Sequence, residues 1–299
     1  MQPISDVISK IIKDRNLDKN SDSLTEQALN NSQVRDFLNK NRDKLNKTMI
    51  AASLPNIFTY VDQITHPNSV MAGYKPQLFI NGNVIDIRFS ATEQKVKETE
   101  LAKRQKRIEL IDLPSKLRNV DLVSLDQNAQ RREALVEVAN FIKNFKQNHH
   151  AKGLYLEGDF GVGKTYILAA LANAVASQGS KVIFLHVPSF IAGLSSHFQD
   201  NSLNEEIDRI ASAPVLIFDD IGAETLSEWS RDDVLGVILQ KRMDNDLPTF
   251  FSSNMDMNAL EQHLAETKNS LDEVKAKRLM QRIRYLSREV FVGGENRRF

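Results

Sequence analysis

Gly158-Asp159-Phe160-Gly161-Val162-Gly163-Lys164-Thr165 fits the phosphate-loop spacing G-x-x-x-x-G-K-[ST]. The motif carries meaning only between a buried strand and a helix, and both flanks comply. Gly153-Leu154-Tyr155-Leu156-Glu157 reads as a short apolar strand, and residues 166–175 read as an Ala/Leu-rich helix. Glycines let backbone N–H groups turn inward around an anion, and the new helix adds partial positive charge at its N-terminus. Lys164 is expected to reach the β- and γ-phosphates, and the Thr165 hydroxyl to be a ligand of Mg²⁺. The bland alternative is a Gly-rich turn that happens to hold a lysine, and the flanks argue against it. Residues 158–165 therefore predict a nucleoside triphosphate site.

Outward from this loop the pattern is α/β. An amphipathic helix over 133–145 precedes the loop strand, with Ala134, Val138, Phe141 and Ile142 on one face. Buried strands are expected at 181–187, 214–220 and 249–254, with a last one near 289–292. Helices are expected at 189–198, 204–211, 232–243 and 274–285. Such alternation predicts a mostly parallel sheet sandwiched by helices, with its ligand beyond the strand C-termini.

Two acids, Asp219 and Asp220, end the strand at 214–220. One carboxylate is needed to hold Mg²⁺, and Asp219 is assigned that role with Thr165. Adjacent strand residues point to opposite sides, so Asp220 is expected to face the γ-phosphate and polarise an attacking water. An acidic turn after a strand is the plainer reading, and it weakens once a phosphate loop lies upstream. Asn254, at the polar end of the next strand, is a candidate orienter of that water. On the helix at 274–285, Arg278 and Arg282 share a face. A solvated basic helix is the competing reading there.

At 299 residues two domains are the natural expectation. Net charge is zero, so nucleic-acid contact requires a local patch and not a global field. Absence of cysteine removes disulfides, thiol catalysis and Cys-based zinc sites together. His149 and His150 sit in a polar loop and read as solvated. No apolar run is long enough to span a bilayer, and Met1-Gln2-Pro3-Ile4-Ser5-Asp6 does not resemble a secretion signal, so the cytoplasm is the expected compartment.

The first third carries no catalytic constellation. Ile4, Ile8, Ile11 and Ile12 fall at helical spacing, as do Val34, Phe37 and Leu38, while Ser23-x-x-Glu26 reads as a capping box after a polar connector over 17–22. These short helices are expected to end near residue 50. Phe79-Ile80-Asn81-Gly82-Asn83-Val84-Ile85-Asp86-Ile87-Arg88-Phe89 carries a hairpin signal, introduced by Tyr74-Lys75-Pro76. Residues 93–109 are a mixed-charge run read as a solvated helical linker, with a nucleic-acid contact through Lys103, Arg104, Lys106 and Arg107 as the sharper alternative. The organisation expected is a helical-plus-hairpin domain over 1–92, a linker over 93–114 and an α/β domain over 115–299.

Taken together, the phosphate loop, Asp219-Asp220-Ile221-Gly222-Ala223-Glu224 and Phe251-Ser252-Ser253-Asn254 resemble the AAA+ ATPases. Within them the chain resembles the bacterial DnaC/DnaI-type helicase loaders, through Trp229-Ser230-Arg231-Asp232-Asp233-Val234-Leu235, Leu247-Pro248-Thr249 and Gly294-Glu295-Asn296-Arg297-Arg298. The resemblance implies ATP and Mg²⁺ as cofactors, and ATP hydrolysis coupled to delivery of the replicative helicase onto single-stranded DNA during primosome assembly. It implies that the N-terminal domain contacts the helicase and that the ATPase domain contacts ATP and DNA, working as a self-associated or ring-associated oligomer. Asn254 matches the sensor-1 position and Arg282 the arginine-finger helix, with Arg278 and Arg284 as alternatives. Arg297 is similar to the sensor-2 arginine, and Arg298 is its alternative.

One departure matters. Such N-terminal domains commonly carry zinc ligands around Gly73-Tyr74-x-Pro76 and the hairpin end, where this chain has Lys75 and Thr92 and no cysteine. No zinc is therefore expected. Related initiators place DNA-facing helices where residues 189–211 lie. Phe190, Ser195, Ser196, His197 and Phe198 are candidates there for base stacking and hydrogen bonding, with core packing equally open for Phe190. The rival functions are a transposition helper ATPase and an ATP-binding adaptor with little hydrolysis.

Overall fold

A computed structural model describes residues 26–67, 71–194, 202–268 and 270–297. The chain divides into two units, Met1–Thr99 and Glu100–Phe299. Among the described residues no helix is long and apolar enough to cross a membrane. Ile4, Ile8, Ile11, Ile12, the 17–22 connector and Ser23 lie outside them, as do Ser195, Ser196, His197, Phe198 and Arg298.

In the first unit, asparagine side chains start the helices. Asn31 accepts from the N–H groups of Gln33 and Val34 at the head of α1 (Ser32–Lys40), and Asn46 accepts from Met49 at the head of α2 (Lys47–Ala52). Pro55 falls in the first turn of α3 (Leu54–Thr65), where its missing N–H has no helical partner to lose. The helical part thus runs on past residue 50, because this proline begins a helix and does not break one. Strands β1 (Tyr74–Asn81) and β2 (Val84–Ala91) pair antiparallel with Asn81 opposite Val84, so Gly82-Asn83 form the turn. Gly82, at φ 56°, takes the first turn position, as type II′ turns require. Val34, Leu38, Ile50, Leu54 and Ile57 close over Ile85 to make this unit's core. The buried Ser53 hydroxyl ties the layers, donating to Met49 O at 2.7 Å and accepting from Ile85 N at 2.6 Å.

Helix α4 (Glu93–Lys106) buries no side chain, as its mixed charges predict. The expected linker nevertheless contains a strand, β3 (Ile108–Ile111), which pairs parallel with β5 (Val182–His186). Four residues between a charged run and Leu113-Pro114 are too few to show a period, so the strand is silent in sequence.

The second unit continues through α5 (Arg132–Phe145), β4 (Gly153–Glu157), α6 (Lys164–Ser177), α7 (Val187–Gly193), α8 (Ser202–Ala211) and β6 (Val215–Asp219). A six-residue π-helical turn, Ser230–Leu235, then leads into α9 (Gly236–Asp244), splitting the single helix expected there. β7 (Thr249–Ser253), α10 (Met257–Ala265), α11 (Glu273–Leu286) and β8 (Ser287–Phe291) complete it. The sheet order is β3-β5-β6-β7-β4-β8, parallel throughout.

Side-chain alternation sorts each strand onto two cores. Ile183, Leu185, Leu216, Phe218 and Phe251 face the side covered by α7 to α11, while Val182, Phe184, Val215, Ile217 and Phe250 face α5 and α6. Phe218 and Phe251 stack with centroids 5.3 Å apart. Phe190 is 6% exposed and belongs to the first of these cores, so it is a packing residue and not a platform for bases.

Arg242 of α9 is fully buried and joins three segment ends. Its Nε donates to Thr249 Oγ1 at 2.7 Å, Nη1 to Ala213 O at 2.8 Å and Ala211 O at 3.1 Å, and Nη2 to Pro248 O at 2.7 Å. Burial pulls the guanidinium down to about 9. Arg242→Met would leave those acceptors buried and unpaired, and is expected to lower unfolding free energy by about 3 kcal/mol. Urea unfolding of the variant measures this; stability equal to that of the parent would show the guanidinium to be dispensable.

Candidate active site

The phosphate loop leaves β4 through backbone that only glycine adopts comfortably. Gly158 has φ 147°, and a Cβ there would fall 2.1 Å from Val292 O. Gly163, at φ 95°, is the N-cap of α6. Between them Val162 is buried and anchors the loop, while Phe160 is 62% exposed at its tip. Lys164 is 7% exposed, and its Nζ donates to Gly158 O at 2.7 Å, Asp159 O at 3.0 Å and Asn254 Oδ1 at 2.7 Å.

Asn254 directly follows β7, the strand inserted between β4 and β6. That order puts its amide midway between loop lysine and acid pair. Nδ2 donates to Asp220 Oδ1 at 3.1 Å while Oδ1 receives Lys164. Lys164, Asn254 and Asp220 therefore form one continuous relay.

Asp219 ends β6, 4% exposed. It accepts the Thr165 hydroxyl at 2.9 Å and 3.2 Å and the Ser252 hydroxyl at 2.6 Å. Burial pushes its carboxyl up from the usual range, and the two hydroxyls pull the other way. Asp220 lies beyond the strand in the left-handed region, φ 60°. Its side chain is therefore aimed by that turn and not by strand alternation. The turn is held by Asp220 N–H donating to Ser252 Oγ at 2.9 Å and Ile221 N–H donating to Ser252 O at 2.9 Å. His186 Nε2 stands 4.0 Å from Asp220 Oδ2.

Gly161, Gly163, Lys164, Thr165, Asp219, Asp220, Asn254 and Arg297 line one open cleft of about 670 Å³. Leu113, Pro114, Leu117, Leu125 and Tyr166 add apolar surface suited to a nucleobase. Arg297 reaches the loop through its backbone N–H, which donates to Gly161 O at 3.1 Å, while its guanidinium pairs with Asp126.

The arginines of α11 do not line this cleft. Arg282 Nη1 donates to Gly236 O at 2.9 Å, and Arg284 pairs with Glu261 at 2.7 Å. Arg278 is exposed. An action of Arg282 on phosphate thus requires another copy's cleft.

Three neighbours of the site are silent in sequence. Ser252 is an ordinary strand serine until β6 and β7 are paired. Arg131 lines the cleft from 33 positions before Lys164 (164 − 131). Glu224 is 4% exposed, and its Oε2 accepts the Gly222 N–H at 2.8 Å.

Comparison with known proteins agrees with this geometry. Residues 1–89 match the family of the primosomal protein DnaI N-terminus, and residues 81–299 match the IstB-like ATP binding proteins. The replicative helicase loader DnaI of Bacillus subtilis is 34% identical over 309 aligned residues, covering 100% of this chain and 99% of that one. A crystal structure of DnaI, 38% identical, covers 66% of this chain and 100% of its own with a TM-score of 0.56. The DnaC helicase loader, 22% identical, shares the fold over 60% of this chain and 100% of its own, TM-score 0.51.

Burial pushes the Glu224 carboxyl up to about 7, against an ordinary 4.5. The folded state then holds a proton that the unfolded chain releases, so this contribution falls as pH rises from about 4.5 through about 7. Glu224→Gln keeps an acceptor for Gly222 and has no proton to lose. Relative to the parent it is expected to gain up to about 3 kcal/mol between about pH 4 and about pH 8. Denaturant unfolding at both pH values checks this, and a pH-independent difference would contradict it.

Proposed function

The chain belongs to the IstB-like ATP-binding family and, by full-length identity, to the DnaI-type helicase loaders, and from that premise we propose that it is an ATP-hydrolysing loader of the replicative helicase. The observation that carries the hydrolytic part is the relay from Lys164 through Asn254 to Asp220, beside an Asp219 carboxylate shared by Thr165 and Ser252.

In this reading the N–H groups at the head of α6 and Lys164 hold the triphosphate. Lys164 exchanges its loop carbonyls for phosphate oxygens, and Asn254 registers that exchange at Asp220. Asp220 is the general base that accepts a proton from the attacking water. The Thr165 hydroxyl and Asp219 carboxylate are the hard oxygen donors that Mg²⁺ prefers. Bound there, Mg²⁺ would neutralise charge developing on the phosphate oxygens. Arg282 acts from a neighbouring copy, and Arg297 senses the nucleotide from the other side of the loop. The work takes place in the cytoplasm, on an oligomer that binds single-stranded DNA weakly.

The match over 1–89 favours the loader over a transposition helper, which shares the ATPase core and usually lacks a helicase-binding domain. Full-length protein is expected to co-purify with the cellular replicative helicase in an ATP-dependent manner; failure to retain it would return the choice to the helper. Lys164→Ala is expected to lose nucleotide turnover, and full activity would refute the phosphate-loop assignment. Arg282→Ala should still bind ATP but lose about a thousandfold of the turnover seen with helicase and single-stranded DNA. Unchanged turnover would rule Arg282 out as the finger, whereas a parent that binds ATP without turnover in that mixture would identify an adaptor that needs ATP only as a ligand.

A further inference from the structure

Arg131 is placed where a cation has little reason to be. It closes a 3₁₀ turn (Ala129–Arg131) and occupies the N-cap of α5, making no side-chain capping bond. Its guanidinium also packs on the N-cap of α6, since a Cβ on Gly163 would fall 2.2 Å from Nη2. The N-terminus of α6 thus directs partial positive charge toward a buried cation, the reverse of what a helix dipole favours.

Protein partners do not offset this. The side chain is 1% exposed, and among the described residues its one hydrogen bond runs from Nη1 to Asp126 O at 3.2 Å. Nε has no partner. The nearby carboxylate, Asp126, is taken by Arg297, whose own charge adds to the repulsion. A buried guanidinium without a carboxylate is a poor stability device. It is a good anion receptor, because its planar fork fits phosphate oxygens. The anion that belongs here follows from the lining: Arg131, Gly163, Lys164 and Thr165 face the same cleft.

We infer that Arg131 is a nucleotide-binding residue, whose guanidinium pairs with the phosphate chain held at the N-terminus of α6. The inference rests on the nucleotide reading of the cleft and adds a second fixed cation to Lys164. The positive charge stored around Gly163 is relieved only when the phosphates arrive, so the residue trades ligand-free stability for affinity.

The opposed signs make the test. Arg131→Met in the full chain keeps side-chain length and removes charge. Its melting temperature without nucleotide is expected to equal or exceed the parent's, while its Kd for a fluorescent ATP analogue weakens at least tenfold. An unchanged Kd would overturn the inference, as would a melting temperature lowered without nucleotide, which marks a structural arginine. Should that variant fail to fold, Arg131→Lys decides: affinity at least threefold weaker supports the fork-to-phosphate pairing, and parental affinity overturns it. Lys164→Ala in the same assay separates the readings. Loss of binding there with parental binding in Arg131→Met sinks this inference alone, whereas a parent that binds no ATP sinks the nucleotide reading too.

Discussion

The Asp219 carboxylate is the joint on which the second unit is assembled. It is almost wholly buried, and burial alone would push it toward its neutral form. Hydroxyls from two other elements counter this: Thr165, one residue into α6, and Ser252, inside β7. The same Ser252 oxygen then accepts the Asp220 N–H. One side chain thus registers the phosphate-loop helix and the inserted strand against β6, and fixes where the second acid begins. This registration brings the ends of β6 and β7 level with the head of α6, where Lys164, Asn254 and Asp220 meet.

The parts of the molecule legible in sequence are those whose signal is local. Loop spacing, apolar runs at β4, β5, β6 and β7, and the Gly82 turn each fit within a dozen residues. The phosphate loop also predicts its own partners, since a triphosphate needs a metal-binding acid at a neighbouring strand end. What stayed hidden depends on contacts far apart in sequence. β3 has four residues and is recognisable only beside β5. Arg242 and Arg131 carry no local signal, and their places emerge only when the chain folds around them. For Phe190 the sequence leaves base stacking and core packing equally open, and burial on α7 decides for the core. Strand alternation is the reason the sequence offers for the aim of Asp220, but the residue lies beyond the strand and its side chain is oriented by a left-handed turn.

The two units divide the work unequally. The first has a core of aliphatic helices on a two-stranded hairpin, tied by Ser53, and none of the residues assigned to chemistry. The second holds the cleft and all the groups that touch it. Polar contacts converge on the cleft in the second unit, and on the proposed reading recognition of a protein partner falls to the first. Residues 1–89 match the family of the DnaI N-terminus and residues 81–299 the broader IstB-like ATP-binding family.

Asp220 sits in a backbone region where glycine and asparagine are at home and most side chains are not. Its turn is held by main-chain and serine contacts that never involve its carboxylate. In evolutionary terms the acid is therefore detachable. Drift to Asn or Gly at this one codon would meet no conformational barrier and leave the fold in place. On the proposed reading, a lineage could lose turnover while keeping the bound state, turning a timed device into a permanent clamp. The same backbone that aims the acid makes it the easiest part of the machine to retire.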